Sequence, residues 1–102
     1  MNKPQMRNSA FILLALEDAK DFFRHNGESL SEILYMVGGD SALDLFCEVR
    51  ERLEELQPHP QVLRDELKKM MRILESADDP GHALSPSLRW HGARLTDLSA
   101  AL

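Results

Sequence analysis

The sequence predicts an all-α fold, a bundle of four or five helices built around an antiparallel helical hairpin. Three observations carry this prediction. Apolar residues recur at alternating spacings of four and three, which follow the helical period. Helix start and stop signals separate the apolar segments from one another. No segment alternates apolar and polar residues over a useful length, so the sequence requires no β-strand.

The hairpin, at about 41–57 and 60–76, is the frame of the predicted bundle. Its first helix carries an apolar stripe at alternating spacings: Ala42, Phe46, Val49, Leu53 and Leu56. Its second helix repeats the pattern: Leu63, Leu67, Met70 and Leu74. Only the turn from Pro58 to Pro60 separates the two, and so short a connection favours antiparallel neighbours. Pro60 also suits the first position of a helix, where its missing N–H costs nothing.

A first helix is expected from Ser9 to His25. The pair Asn26-Gly27 should end it, because both residues tolerate a left-handed backbone. In its first half this helix is apolar nearly all round, and such a helix lies in the centre of a core or is covered by a second chain. The apolar seams of the hairpin can also pair between chains. We therefore expect a homodimer.

Two further helices complete the prediction. A short one should span about 30–37, because Ser29 and Glu32 form a capping box and two glycines follow at Gly38-Gly39. A loop should occupy 76–84 and precede a last helix that begins at Ser85. The apolar face of that helix consists of Leu88, Leu95, Leu98 and Leu102.

Length and composition predict a single helical domain over residues 1–102. The chain has 43% hydrophobic and 28% charged residues, which is typical of globular proteins. A chain of this length forms one modest core. Residues 1–8 precede the first helix signal, and we expect them to form a flexible N-terminal tail.

The charge distribution argues against a nucleic-acid partner. The formal net charge is −5, and residues 28–79 hold thirteen acidic but only six basic residues. Such a surface repels phosphate backbones. The segment 31–53 has roughly the lengths of a helix-turn-helix. However, Asp40, Asp44 and Glu48 open its second helix, where a DNA-binding protein would face phosphates and base edges.

Cysteine usage and the N-terminal residues favour a cytoplasmic protein. Cys47 is the only cysteine, so no intramolecular disulfide can form and a reducing compartment is expected. Lys3 and Arg7 precede the apolar run 10–16, which loosely imitates a signal peptide. The run is too short, and Glu17 follows at once. No stretch approaches the ~20 apolar residues of a membrane span.

The sequence indicates no catalytic residue, no metal site and no cofactor. Four histidines occur, none at metal-ligand spacing: His25, His59, His82 and His91. His91 falls on the apolar face of the last helix, where a structural histidine is expected. Cys47 has Glu48 and Glu51 close on the same surface, and these neighbours oppose formation of a thiolate. Phosphate loops and nucleophile elbows are also missing from the sequence.

Four residues are predicted to bind a partner: Trp90, Arg89, Arg94 and Tyr35. Trp90 is the only tryptophan, and it lies off the leucine stripe of its helix with the two arginines nearby. Tyr35 likewise lies off the apolar stripe of its own helix. Exposed Trp, Tyr and Arg side chains dominate the binding energy of protein interfaces. The alternative is that Trp90 packs inside a sandwiched last helix.

These features together predict a non-enzymatic protein that binds another protein, such as an adaptor, an inhibitor or a chaperone-like regulator. Two alternatives stay open. A small-molecule or lipid binder would enclose an apolar cavity of several hundred cubic ångströms inside the bundle. An enzyme would assemble its residues from distant helices, with a histidine or a carboxylate of displaced pKa in a cleft.

Overall fold

The computed structural model describes residues 9–77 and 83–102. They form three helices, α1 (Ser9–Leu53), α2 (Pro60–Ala77) and α3 (Ser85–Ala101). No strand occurs in these two ranges, so the all-α prediction is confirmed. The predicted count of four to five helices is wrong, because the first three predicted helices are one element, α1. The predicted tail at residues 1–8 lies outside the described residues.

α1 runs through Asn26-Gly27, where the sequence predicts its end. Gly27 keeps a helical backbone. It is buried, and a Cβ placed on it would lie 3.4 Å from the ring of Phe46. Phe46 of a later part of the chain therefore covers the helix at Gly27, at a distance that a Cβ would fill with an ordinary van der Waals contact. Ser29 is not a cap but lies within α1, where its hydroxyl donates to the carbonyl oxygen of Asn26 at 3.1 Å.

Gly39 divides α1 into two arms. Its backbone has φ 72° and ψ −157°, a combination that essentially only glycine adopts. We call residues 9–38 the long arm and residues 40–53 the short arm. The short arm folds back along the long arm, since the rings of Phe23 and Phe46 stack with centroids 5.4 Å apart. The predicted break at the glycine pair is therefore present inside α1.

The short arm and α2 run antiparallel. A Cβ on Gly38 would lie 3.1 Å from the side chain of Ile73 at one end of the pair. At the other end, Nε of Arg52 lies 2.8 Å from Oε1 of Glu66. The short arm ends at Leu53, four residues earlier than predicted. Leu56 consequently lies outside the helix and is fully exposed, so its predicted place in the apolar stripe is wrong.

The core is formed by side chains from all three helices. α3 closes the bundle by packing on α2, where the Ser99 hydroxyl donates to Sδ of Met71 at 3.8 Å. The largest fully buried side chains are Leu30, Leu34, Val49, Leu53, Leu63, Leu67, Met70, Leu74 and Leu95. This set confirms the predicted stripe of α2. None of the helices described here has both the length and the apolar character that crossing a bilayer requires.

Candidate functional site

Trp90 lies at the boundary between the core and the surface. Its side chain is 46% exposed. One face stacks on Phe22 of the long arm, with ring centroids 6.2 Å apart and an interplanar angle of 29°. His91 meets the ring edge-on, with centroids 4.9 Å apart. Trp90 is therefore neither fully exposed nor packed inside the bundle. Its ring contacts the core on one face and still presents surface to solvent.

Arg94 extends the surface around Trp90. Its Cζ atom lies 5.9 Å from the centroid of the indole ring, within the range of a cation–π contact. Its Nη2 atom donates to Asp97 at 3.1 Å in an exposed ion pair. Arg89 lies on the other side of α3, where it lines a groove of about 270 Å³ with Leu74 of α2. The structure thus pairs Trp90 with Arg94 and directs Arg89 towards α2.

Tyr35 is exposed but does not join this surface. It follows Phe22, the long-arm residue under Trp90, by thirteen positions. At 3.6 residues per turn, the two residues point about 140° apart around the long arm. The four predicted partner residues therefore do not form one continuous site.

His91 is the structural histidine that the sequence predicts. Its ring is buried, and both nitrogens have partners. Nδ1 lies 2.8 Å from the carbonyl oxygen of Ser87, which can only accept a hydrogen bond. Nδ1 therefore carries a proton. Nε2 lies 2.9 Å from the hydroxyl oxygen of Ser29 on the long arm, within hydrogen-bonding distance.

Exposed apolar side chains cluster where α1 begins and where the turn before α2 passes beside it. Phe11 is 65% exposed, Leu13 and Leu14 are each 62% exposed, and Leu56 is fully exposed. We call these four residues the apolar end. A groove of about 340 Å³ lies within it, lined by Ile12, Leu13, Leu16, Leu56, Gln57, Pro58 and Pro60. The all-round apolar start of the first helix signalled this surface, but the exposure of Leu56 had no signal in the sequence.

Charged residues of opposite sign flank the short arm beside the apolar end. Lys20, Arg24 and Arg50 line a shallow pocket of about 190 Å³ between the two arms together with Glu54. Lys20 pairs with Glu17 at 3.7 Å and Arg24 with Asp21 at 2.9 Å. Glu48, Glu51 and Glu55 line another shallow depression on the short arm. We call these three glutamates the acidic flank.

An ion pair joins the short arm to α2 next to the acidic flank. Both oxygens of Glu66 accept hydrogen bonds from Arg52, at 2.8 and 3.1 Å. This hydrogen bonding, together with the attraction of the same carboxylate, raises the pKa of Arg52 above its ordinary value, and Glu55 and Glu48 add to the effect. Arg52 therefore stays charged at any pH at which the protein folds.

The described residues group no metal-ligating cluster. Within 9–77 and 83–102, no three His, Cys, Asp or Glu side chains lie close enough together to hold an ion. Cys47 is partly buried, with Nη2 of Arg50 4.0 Å from its Sγ atom. His25 is bonded through Nδ1 to the backbone carbonyl of Asp21 at 2.8 Å. His82 lies outside the described residues.

Compared with protein-family models, curated proteins and solved structures, the chain matches none. The interpretation of its surfaces therefore depends on their own geometry.

Proposed function

We propose that this protein acts by binding other proteins, without catalysis, as an adaptor, an inhibitor or a chaperone-like regulator, and that it forms a homodimer. One observation carries the proposal, namely the apolar end. Leu13 and Leu56 lie exposed side by side in one groove, and Phe11 and Leu14 are exposed on other sides of the same helix end. Contiguous exposed apolar surface on a small protein marks a site of interaction.

The free energy available at the apolar end is comparable in size to the cost of association. Fully burying one Leu or Phe side chain contributes about 1.5–3 kcal/mol. Four partly exposed side chains therefore offer about 5 kcal/mol per protomer, and about 10 kcal/mol for two protomers. The loss of translational and rotational freedom on association costs about 4–15 kcal/mol. The two terms are of the same size, so a dimer formed through this surface alone would be weak.

A second surface, around Trp90 and Arg94, supports binding of a different protein. Trp and Arg are the residue types most enriched among interface hot spots. Here the indole stacks on Phe22, so little freedom of the Trp90 side chain remains to be lost on binding, and Arg94 lies over the same ring. We propose that Trp90 and Arg94 contact the partner, and that Arg89 would contact it only if the partner also reaches the groove between α2 and α3. Tyr35 would contact only a partner that also reaches another face of the long arm.

The packing of the core supports protein binding over ligand binding. Leu30, Leu34 and Leu63 have no exposed surface, so the bundle is filled where these helices meet. The 340 Å³ groove opens on the surface at the apolar end and not inside the bundle. A ligand site inside the bundle would need an enclosed apolar cavity.

Capture from a lysate of the source cells tests the proposal. Wild type, Trp90→Ala and Tyr35→Ala serve as parallel baits, each checked for helical circular dichroism. Tyr35→Ala is the matched control, because it also removes an exposed aromatic ring but from another face of α1. We expect a stoichiometric protein that wild type and Tyr35→Ala retain and Trp90→Ala loses. Failure of folded wild type to retain any stoichiometric protein would contradict the proposal.

A further inference from the structure

We propose that His91 is a positioning residue of the Trp90–Arg94 surface, and that its contact with Ser29 on the long arm sets how far the indole of Trp90 is exposed to a partner. The inference rests on the proposed function, because it concerns a surface that binds a partner there. His91 does not act by touching the partner, since its side chain is buried.

Two contacts between α3 and the long arm lie on one side of the long arm. Trp90 stacks on Phe22 with ring centroids 6.2 Å apart, and the Nε2 atom of His91 lies 2.9 Å from the hydroxyl oxygen of Ser29. Phe22 and Ser29 are seven residues apart, so they share a face of the long arm and are separated by about 10 Å along its axis. Because Trp90 and His91 are neighbours on α3, a change at the Ser29 contact acts directly beside the indole.

His91 connects the Ser29 contact to the Trp90–Arg94 surface. Its ring meets the indole edge-on, with centroids 4.9 Å apart. The imidazole and the ring of Phe22 thus limit the movement of the indole on two sides, and only the imidazole depends on hydrogen bonds for its place. The Cζ atom of Arg94 lies 5.9 Å from the centroid of the indole, so a displaced indole loses this contact as well.

The contact with Ser29 is the hydrogen bond of the imidazole that spans two helices. Ser87, the partner of Nδ1, lies on α3 itself, so its carbonyl moves together with His91. Without the hydroxyl of Ser29, Nε2 is left buried and unpaired. The cost of an unpaired buried nitrogen favours conformations in which the imidazole turns towards water. Turning the imidazole removes one of the two rings that confine the indole, and Trp90 becomes more exposed.

The first test measures the exposure of Trp90 in the native protein by acrylamide quenching of its fluorescence. Trp90 is the only tryptophan, so the signal reports this residue alone. The residue is 46% exposed, and complete exposure would raise the quenching constant about twofold. We expect Ser29→Ala to raise the constant towards that value, and Ser29→Thr, which keeps a hydroxyl, to leave it at the wild-type value. Ser31→Ala is the matched control and should leave it unchanged, because the Ser31 hydroxyl donates to the carbonyl of Glu28 within the same helix.

The second test asks whether Ser29 acts on Trp90 through His91. The variant His91→Phe keeps an aromatic ring beside the indole but has no ring nitrogen that needs a partner. Adding Ser29→Ala to this variant should therefore leave its quenching constant unchanged, although the same substitution raises the constant of wild type. The four proteins form a double-mutant cycle, which isolates the coupling between the two residues. Helical circular dichroism checks that each protein is folded under the conditions of the quenching measurement.

Each outcome supports or overturns the inference. If Ser29→Ala unfolds at a lower urea concentration but keeps the wild-type quenching constant, the contact only stabilises the fold and the inference is overturned. An equal rise in the wild-type and His91→Phe backgrounds overturns the route through His91. Ser29→Ala and Ser29→Thr also serve as further baits in the capture experiment. If Ser29→Ala retains the protein that Trp90→Ala loses, the inference is overturned but the proposed function is not. Its loss from Ser29→Ala and retention by Ser29→Thr support both.

Discussion

The Nε2 atom of His91 on α3 lies 2.9 Å from the hydroxyl oxygen of Ser29 on the long arm. The two residues are 62 positions apart, so this contact ties the last helix to the first. The opposite nitrogen of the ring is held by the carbonyl of Ser87 at 2.8 Å. The buried imidazole therefore has one partner within α3 and one on α1, which fixes how α3 sits against the long arm.

Removing the hydroxyl of Ser29 should destabilise the fold. Ser29→Ala leaves Nε2 of His91 buried without a partner, and an unsatisfied buried polar group costs about 1–3 kcal/mol. Ser31→Ala is the matched control, because the Ser31 hydroxyl makes the same local bond, to the carbonyl of Glu28 at 2.8 Å. The control should change stability by less than about 0.5 kcal/mol. Urea unfolding measures both, and equal losses for the two variants would contradict the proposed role of the His91 contact.

Gly39 and Gly92 should respond to alanine in opposite directions. Gly39→Ala places a Cβ at φ 72°, ψ −157°, and we expect a loss of about 1–3 kcal/mol from the strained backbone. Gly92 lies within α3, and a Cβ there would meet no atom within 4 Å. Gly92→Ala should therefore raise stability by about 0.5–1 kcal/mol, through helix propensity alone. Thermal unfolding of both variants tests this, and a stable Gly39→Ala protein would refute the break between the arms.

Local signals in the sequence were enough to predict some helix boundaries but not others. Pro60 and Ser85 begin helices as predicted, and the glycine pair at 38–39 does contain a break. The same reasoning failed at Asn26-Gly27. There the helix continues because Phe46 packs over Gly27, and a contact between residues nineteen positions apart leaves no local trace. The stop signals at 26–27 and 38–39 look alike in the sequence, and tertiary packing determines that only the second one breaks the helix.

Gly27→Ala distinguishes a glycine that ends a helix from a glycine that lies within a continuous helix. If Gly27 ended a helix in a left-handed conformation, alanine would cost about 1 kcal/mol. In the continuous helix described here, a Cβ would lie 3.4 Å from the Phe46 ring, which is an ordinary van der Waals contact. We therefore expect Gly27→Ala to be neutral or to stabilise by up to about 1 kcal/mol. The midpoint of urea unfolding measures the change, and a clear loss would contradict the continuity of α1.

The surfaces were harder to predict than the core. The stripe of α2 followed directly from spacing, since Leu63, Leu67 and Met70 are all fully buried. The exposure of Leu56 depends on the short arm ending at Leu53, and the spacing of the stripe gave no sign of that end. The position of Tyr35 away from Trp90 depends on which side of α1 receives α3. Spacing along one helix shows which residues share a face, but it does not show which neighbour covers that face.

Removing Arg52 and removing Glu66 should lower the free energy of unfolding by unequal amounts. The Glu66 side chain is 8% exposed and that of Arg52 is 32% exposed. Arg52→Met leaves a buried carboxylate without its cation, whereas Glu66→Met leaves an arginine that can still reach water. We expect Arg52→Met to lower the free energy of unfolding more than Glu66→Met does. The double variant should be more stable than Arg52→Met alone, because it removes the unpaired buried charge.

The two single variants and the double variant together form a double-mutant cycle, which measures the coupling between Arg52 and Glu66. This coupling has a defined dependence on pH above neutrality. The hydrogen bond to Glu66 raises the pKa of Arg52 in the folded state. A raised pKa contributes stability that is complete below the unfolded pKa and is lost only as the pH rises through the folded value. For an arginine both values lie far above neutrality. The coupling between the two residues should therefore be the same at pH 7 as at pH 9, and weaker coupling at pH 9 would contradict this expectation.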